Sequence, residues 1–407
     1  MTILYVTQNG IADHIGQSQV APYLLGLAAE GHAIHLLSAE KAGQEEVIAR
    51  YQALFDAAGI AWTRVAYHTS PKVLGPLWTQ WQLERTARAI VRTNAITALH
   101  CRSFPAAMIG YRIKRSLGVK YLFDFRDFYA DGGLAKGSSL LRPLYWRMKR
   151  LEGPMIRGAD RIVCLTERAR DLLVDWYLGG EAKARQRFTV IPCCADFGHF
   201  DRTAVDPVAL AALGERLKLQ EGQTVLLYLG SLGPDYLLPE MLRLFDQLCA
   251  LRADARFLFV SNNGRDLVEA ECARLRIDLA RIIFTSADRS EVPAHIALAT
   301  LSVVLIRADL SKAGCSPTKL AELFAMNVPV VANCGVGDLD AIISPSRNGS
   351  ALVADFAPDT LRQALGKVLE LHDKGGVAIR SNSAEFNLPA GVLAYARVYR
   401  ELEGGEC

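Results

Sequence analysis

Short apolar runs recur along this chain, and each is followed by a longer stretch whose apolar residues return every third or fourth position. ILYVT (3–7), AIHLLS (33–38), AITALHC (95–101), KYLFDF (120–125) and RIVCL (161–165) make a first series, with a helix predicted at about 18–30 after the first run. Runs of Val, Ile and Leu without polar alternation mark strands buried on both faces. Strand–helix alternation of this kind predicts βαβ units and a parallel sheet. The same grammar restarts with TVLLYLG (224–230), ARFLFVS (255–261), RIIFT (281–285), LSVVLI (301–306) and VPVVAN (328–333). Between the series, residues 193–222 are turn-rich and weakly periodic and read as a linker. The predicted class is α/β, with two Rossmann-like doubly wound domains over residues 1–200 and 201–385. Ligands of such sheets bind outside the carboxyl ends of the strands, so a cleft facing those ends is expected. The closing stretch, 386–407, opens with FNLPAGVLAYARVYREL, an amphipathic helix. Its periodicity alone fits a helix capping its own domain equally well, and the expectation taken is a helix crossing back to the first domain.

Composition narrows the classes. A length of 407 residues exceeds one ordinary core and supports two domains. A net charge of +3 argues against a nucleic-acid groove binder, which carries a basic stripe. No apolar run reaches bilayer-spanning length, and the opening MTILYVTQNG reads as a first strand rather than a signal peptide. The nine cysteines are odd in number and include no Cys-x-x-Cys, which predicts buried thiols in a reducing, cytoplasmic setting and no zinc site.

Candidate chemistry concentrates in SKAGCSPTKLAELFAMNVPVVANCGVGDLD (311–340). Ser316 reads as an N-cap with Pro317 in the first helical turn. Helix N-terminal amides attract anions, and Arg307, Lys312 and Lys319, with Thr318, surround that end as a diphosphate cradle. Glu322, one turn on, is placed to accept hydroxyl hydrogen bonds from a ribose or sugar. The same residues also fit a plain helix cap with Glu322 complementing the macrodipole.

Other strand ends carry polar groups. Gly10 and Gly16 flank the first loop, where glycine lets backbone approach a phosphate. HCRS puts His100 and Arg102 at the end of a buried strand, and FDFRDFYADGG sets Asp124 and Arg126 on one side of another, followed by Asp127 and Asp131. These suit either an acceptor site or an internal ion pair; Asp13 and His14 are weaker candidates of the same sort. LLRPLYWRMKRLEGPMIRG (140–158) is basic and aromatic, a pattern that fits anionic headgroups as well as a solvated helix.

CSPTKLAELFAMNVPVVAN followed by GVGD resembles the donor segment of the GT-B-fold retaining glycosyltransferases of the large family-four group. GIADHIGQSQVAPYLLGLAAEGHAIHLLS resembles that family's first glycine loop and helix, RIVCLTERARDLL the end of its first domain, and RVYREL its closing helix, so the likeness covers nearly the whole chain. It implies transfer of a sugar from a nucleotide diphosphate sugar to an acceptor hydroxyl, with retention, in surface-polysaccharide or lipid-linked glycan synthesis. The implied donor side is Gly16, Gln17, Ser18, Gly230, Ser231, Asn262, Asn263, Ser286, Ala287, Arg307, Lys312, Ser316, Pro317, Thr318, Lys319 and Glu322. The implied acceptor side is Asp13, His14, His100, Arg102, Asp124, Arg126 and Asp127, with Glu322, Lys319, His100, Asp124 and Arg126 nearest the chemistry. No metal or other cofactor is implied. The partners are the nucleotide sugar and a glycan or lipid-linked acceptor, with peripheral contact at the cytoplasmic membrane face and no nucleic acid. Two departures stand out: the family's first donor glutamate falls on Gly314, and YLGSLGPDYLLPE lacks the arginine and lysine many members carry there. A nucleotide-sugar epimerase on the same fold and a non-catalytic partner subunit are the rival readings.

Overall fold

The computed structural model describes residues 1–71, 74–136 and 141–404. It divides into two compact units, one of Met1–Cys193 with Ala313–Cys315 and the segment from Leu388, the other of Cys194–Lys312 and Ser316–Asn387.

The first unit holds a seven-stranded sheet of β1 (Thr2–Val6), β2 (Ala33–Glu40), β3 (Ala61–Ala66), β4 (Ala98–Arg102), β5 (Lys120–Phe125), β6 (Arg161–Cys164) and β7 (Phe188–Val190), in the order β3-β2-β1-β4-β5-β6-β7. Every pairing is parallel; Tyr5, for instance, lies between Leu36 and His100. The second unit holds a six-stranded parallel sheet of β8 (Val225–Leu229), β9 (Arg256–Val260), β10 (Ile282–Thr285), β11 (Leu301–Val304), β12 (Val330–Asn333) and β13 (Ala351–Val353), ordered β10-β9-β8-β11-β12-β13. In both sheets the order runs outward from the first strand in two directions, which makes each a doubly wound, Rossmann-like sheet. Central strands such as Val225–Leu229 are buried along their whole length. Removing each such Val, Leu or Ile from water stabilises the fold by about 1.5–3 kcal/mol.

Two local expectations change. The helix predicted at about 18–30 is two helices, His14–Gln19 and Ala21–Ala29, broken at Val20. Pro22 has no N–H to continue the preceding helix and its ring crowds the turn before it, so the helix restarts with Pro22 in its first turn. The linker region contains a helix, Pro207–Arg216, whose Asp206 cap accepts a hydrogen bond from Val208 N at 3.0 Å.

The closing helix Leu388–Glu403 belongs to the first unit. It packs on Ala21–Ala29 so closely that a Cβ at Gly26 would lie 2.6 Å from Val392. The Tyr23 and Tyr395 rings meet edge to face at 5.6 Å, and Arg161 pairs with Glu401 at 3.0 Å. No disulfide joins the eight cysteines among the described residues, and none of the helices there is long and apolar enough to cross a membrane.

Candidate functional site

In the second unit the loops at the carboxyl ends of the strands collect most of the predicted donor residues. Helix Thr318–Ala325 follows β11, buried through Leu320, Ala321 and Leu323–Ala325. Its cap position falls on Pro317 rather than Ser316. Pro317 has ψ 116, extended backbone, so helical geometry begins only at Thr318, and a proline side chain offers no group to cap the first turn.

Lys319 projects from that first turn onto two aromatic faces. Its ammonium lies 4.4 Å from the Tyr228 ring centroid and 4.2 Å from that of Tyr236, two rings that meet edge to face. Cation–π attraction of this kind contributes roughly 0.5–2 kcal/mol and fixes where the charge sits. That place is the backbone of Gly230, where φ is +111 and a Cβ would stand 3.2 Å from Nζ. The segment YLGSLGPDYLLPE thus brings no cation of its own but seats one from elsewhere, through tyrosines that spacing alone did not single out.

Glu322 is buried, with Arg289 Nη1 at 3.4 Å from its Oε1. Burial pushes its carboxyl above the ordinary range, and Arg289 and Lys319 offset part of that rise. Arg289 was missed from sequence because it lies in the turn after β10, far along the chain from the Ser-Pro-Thr stretch. The cradle of three cations is also rearranged. Lys312 pairs with Asp235 at 2.8 Å, and Arg307 donates to the Pro234 carbonyl at 3.2 Å. The loop after β8 supplies those oxygens, so both cations brace that loop.

Beside this cluster is a pocket of about 770 Å³ lined by Ser261, Asn262, Asn263, Arg265, Phe284 and Ser286, among others. It brings together the two turns predicted to face a base. Asn263 ties the pocket to the β8 loop, accepting from Leu232 N at 3.0 Å and donating to Leu232 O at 3.3 Å. Ser231 is exposed on that loop, and its carbonyl accepts the Tyr228 hydroxyl at 2.8 Å.

In the first unit, Gly16 abuts the carbonyls of Gly10 and Ile11 with no room for a Cβ. The loop is fixed by a carboxylate that sequence reading missed: buried Glu40 accepts Ile11 N at 2.8 Å and Ala12 N at 3.3 Å, and also Ser38 Oγ at 2.5 Å. Gln17 donates to Ala12 O at 2.8 Å, Ser18 to His14 O at 2.7 Å, and Asp13 pairs with Lys41 at 2.8 Å. His14 and Asp127 are exposed.

His100, Arg102, Asp124 and Arg126 do meet, but as a buried network rather than an open acceptor contact. Asp124 is 1% exposed and lies 3.4 Å from Arg126, 3.5 Å from Arg102 and 3.4 Å from His100. The closing helix completes it: the Tyr395 hydroxyl is 3.2 Å from Asp124 and from Arg126, and the Tyr399 hydroxyl is 2.7 Å from His100 Nδ1. Burial alone pushes Asp124 up, but Arg126, His100 and Arg102 outweigh it and hold the carboxyl well below the usual range. Burial lowers the His100 pKa. A neutral imidazole here donates from Nε2 to the carboxylate and accepts the tyrosine hydroxyl at Nδ1. The closing helix supplies two hydroxyls of this network, so these side chains lie inside the first unit rather than on an exposed strand end. Among the described residues, no group of three or more His, Cys, Asp or Glu side chains is arranged to hold a metal.

The fold is that of the two-domain GT-B glycosyltransferases. Sucrose-phosphate synthase from Thermosynechococcus elongatus superposes with a TM-score of 0.72 at 15% identity over 100% of both chains. Anabaena HepE in complex with UDP-glucose does so with 0.68 at 12% identity, over 98% of this chain and 100% of that one. Residues 17–194 match the family described as Glycosyl transferase 4-like domain, and residues 223–371 match Glycosyl transferases group 1. The chain belongs to the group 1 glycosyltransferases. The alpha-monoglucosyldiacylglycerol synthase of Streptococcus pneumoniae is 28% identical over 146 residues, 35% of this chain, and the match spans 31% of that relative's length.

Proposed function

We propose that this glycosyltransferase takes its sugar from a nucleoside diphosphate sugar held on the second unit and passes it to an acceptor hydroxyl with retention. The observation that carries the reading is the continuity of one rim: the Asn262–Asn263 pocket, the Gly230 loop, Lys319 on its two tyrosines, and Glu322 with Arg289. The base occupies the pocket, where Phe284 offers an aromatic face. The ribose hydroxyls bond to the Glu322 carboxylate. The diphosphate lies at the start of helix Thr318–Ala325 with the Lys319 ammonium beside it. As the bond from the anomeric carbon to the diphosphate oxygen breaks, its electron pair leaves with the diphosphate. Fixed positive groups stabilise that growing charge without having to reorganise, the largest contribution available to such a site. The acceptor oxygen bonds to the same face of the anomeric carbon, and its proton passes to the departing phosphate oxygen. HepE in its complexes with UDP, glucose and UDP-glucose supports the donor class. The lipid-glycosylating relative from S. pneumoniae supports a glycan or lipid-linked acceptor.

The test is transfer from a panel of nucleoside diphosphate sugars by the wild-type chain, Lys319→Ala and Glu322→Ala. Each substitution is expected to lower kcat/KM by roughly 10²-fold or more, the loss expected when one stabilising group is removed, with thermal unfolding little changed. Wild-type turnover by both variants overturns the assignment.

A further inference from the structure

Helix Leu74–Thr93 has two unlike faces. Gly75, Thr79, Gln80, Leu83, Ala87 and Ile90 are buried. The opposite face opens with Leu74, Leu77, Trp78 and Trp81, which are 64%, 47%, 50% and 48% exposed. Their spacing, i, i+3, i+4 and i+7, makes one continuous stripe. The two indoles stack at 4.7 Å, and the Arg85 guanidinium lies 5.4 Å from the Trp81 ring centroid. Arg85 and Arg92 continue the face, both exposed. The helix's one acid, Glu84, is turned to Arg88 at 2.8 Å and Arg112 at 2.7 Å.

A second exposed stripe stands on helix Arg142–Gly158: Arg142, Trp146, Arg147 and Arg150. The acid of that helix, Glu152, is fully buried and bonded to Lys149 at 2.8 Å. A series of contacts runs from one helix to the other through Ser103–Leu117 and Tyr129–Lys136. Gln80 donates to Pro105 O at 2.7 Å, Phe104 stacks on Tyr129 at 5.7 Å, and the Tyr145 ring fills the space a side chain at Gly133 would need.

We infer that the first unit docks on an anionic phospholipid bilayer, inserting Leu74, Leu77, Trp78 and Trp81 at headgroup depth while Arg85, Arg142, Arg147 and Arg150 meet the phosphates. Indoles favour the membrane–water interface, where one edge is wet and the rest apolar. Cations on the same faces select negative headgroups. A second copy is a poorer fit, since a two-fold contact through this face would bring two sets of arginines into one interface while the acid of each helix is already paired. The inference does not depend on the sugar donor or on transfer, and it goes beyond the basic helix at 140–158 by giving the apolar anchor to a different helix.

The experiment is co-sedimentation of the full chain with vesicles of phosphatidylcholine alone and of phosphatidylcholine mixed with phosphatidylglycerol. The wild-type chain should bind the mixed vesicles and not the neutral ones. Trp78→Ser with Trp81→Ser should lower the partition coefficient roughly tenfold, and Arg142→Gln, Arg147→Gln and Arg150→Gln together should flatten its salt dependence, leaving the smaller share carried by Arg85. These positions are exposed, so the unfolding temperature should hold and report that the variants are folded. Absence of wild-type binding overturns the inference, as does equal binding by the tryptophan variant. So does a wild-type dimer in light scattering that the tryptophan substitutions convert to monomers.

Discussion

Glu322 is a buried carboxyl beside one guanidinium and one ammonium. Its raised pKa means that it ionises later than a surface carboxylate as pH rises. The ionised form accepts hydroxyl hydrogen bonds with both oxygens, so donor affinity should increase with pH through the raised value. Stability runs the other way. A carboxyl whose pKa is raised on folding favours the native state below its unfolded pKa, and that contribution is lost as pH rises through the folded value. Affinity must therefore be read as a Kd by calorimetry across pH, not as a melting temperature. Glu322→Gln should flatten the profile; an unchanged profile in that variant rules out Glu322 as its source. Glu322 and Lys319 stood out in sequence because a Ser-Pro-Thr turn after an apolar strand marks a helix start. Arg289, Tyr228, Tyr236 and Glu40 did not, because each gains its role from a partner distant along the chain that only the folded sheet brings near.

At the scale of elements, the closing helix is part of the first unit's polar core. Asp124 joins β5 to Tyr395 and sits between two arginines and a histidine. Asp124→Asn leaves Arg102 and Arg126 buried without their carboxylate, and urea unfolding should report a loss of about 3–5 kcal/mol. The depressed pKa makes a second expectation. Asp124 stabilises the fold at pH values above the ordinary aspartate pKa, about 3.9, and this contribution is lost as pH falls toward the folded value. The Asn variant should show a shallower acid limb, and an equally steep one contradicts the assigned pairing. The strands legible in sequence were those whose apolar runs continue without interruption. β3 was not, because AWTRVA is an edge strand, half-exposed with no fully buried position. β7 and β13, three residues each at sheet edges, are too short for any periodicity to show.

Over the whole molecule, alternation of apolar runs and amphipathic stretches was enough to read two parallel doubly wound sheets, because sheets covered on both faces demand that pattern. The sugar was not legible, since the groups that select one hexose over another act through a few loop atoms with no spacing of their own. The rim formed by Asn262–Asn263, Gly230, Lys319, Arg289 and Glu322 is the proposed seat of a nucleoside diphosphate. Isothermal titration of UDP and GDP into the wild-type chain and into the Lys319→Ala and Glu322→Ala variants tests it most directly. The predicted result is saturable 1:1 binding of one of them by the wild type, weakened at least tenfold by each substitution. Binding unaffected by either substitution, or no binding of either nucleotide, contradicts it.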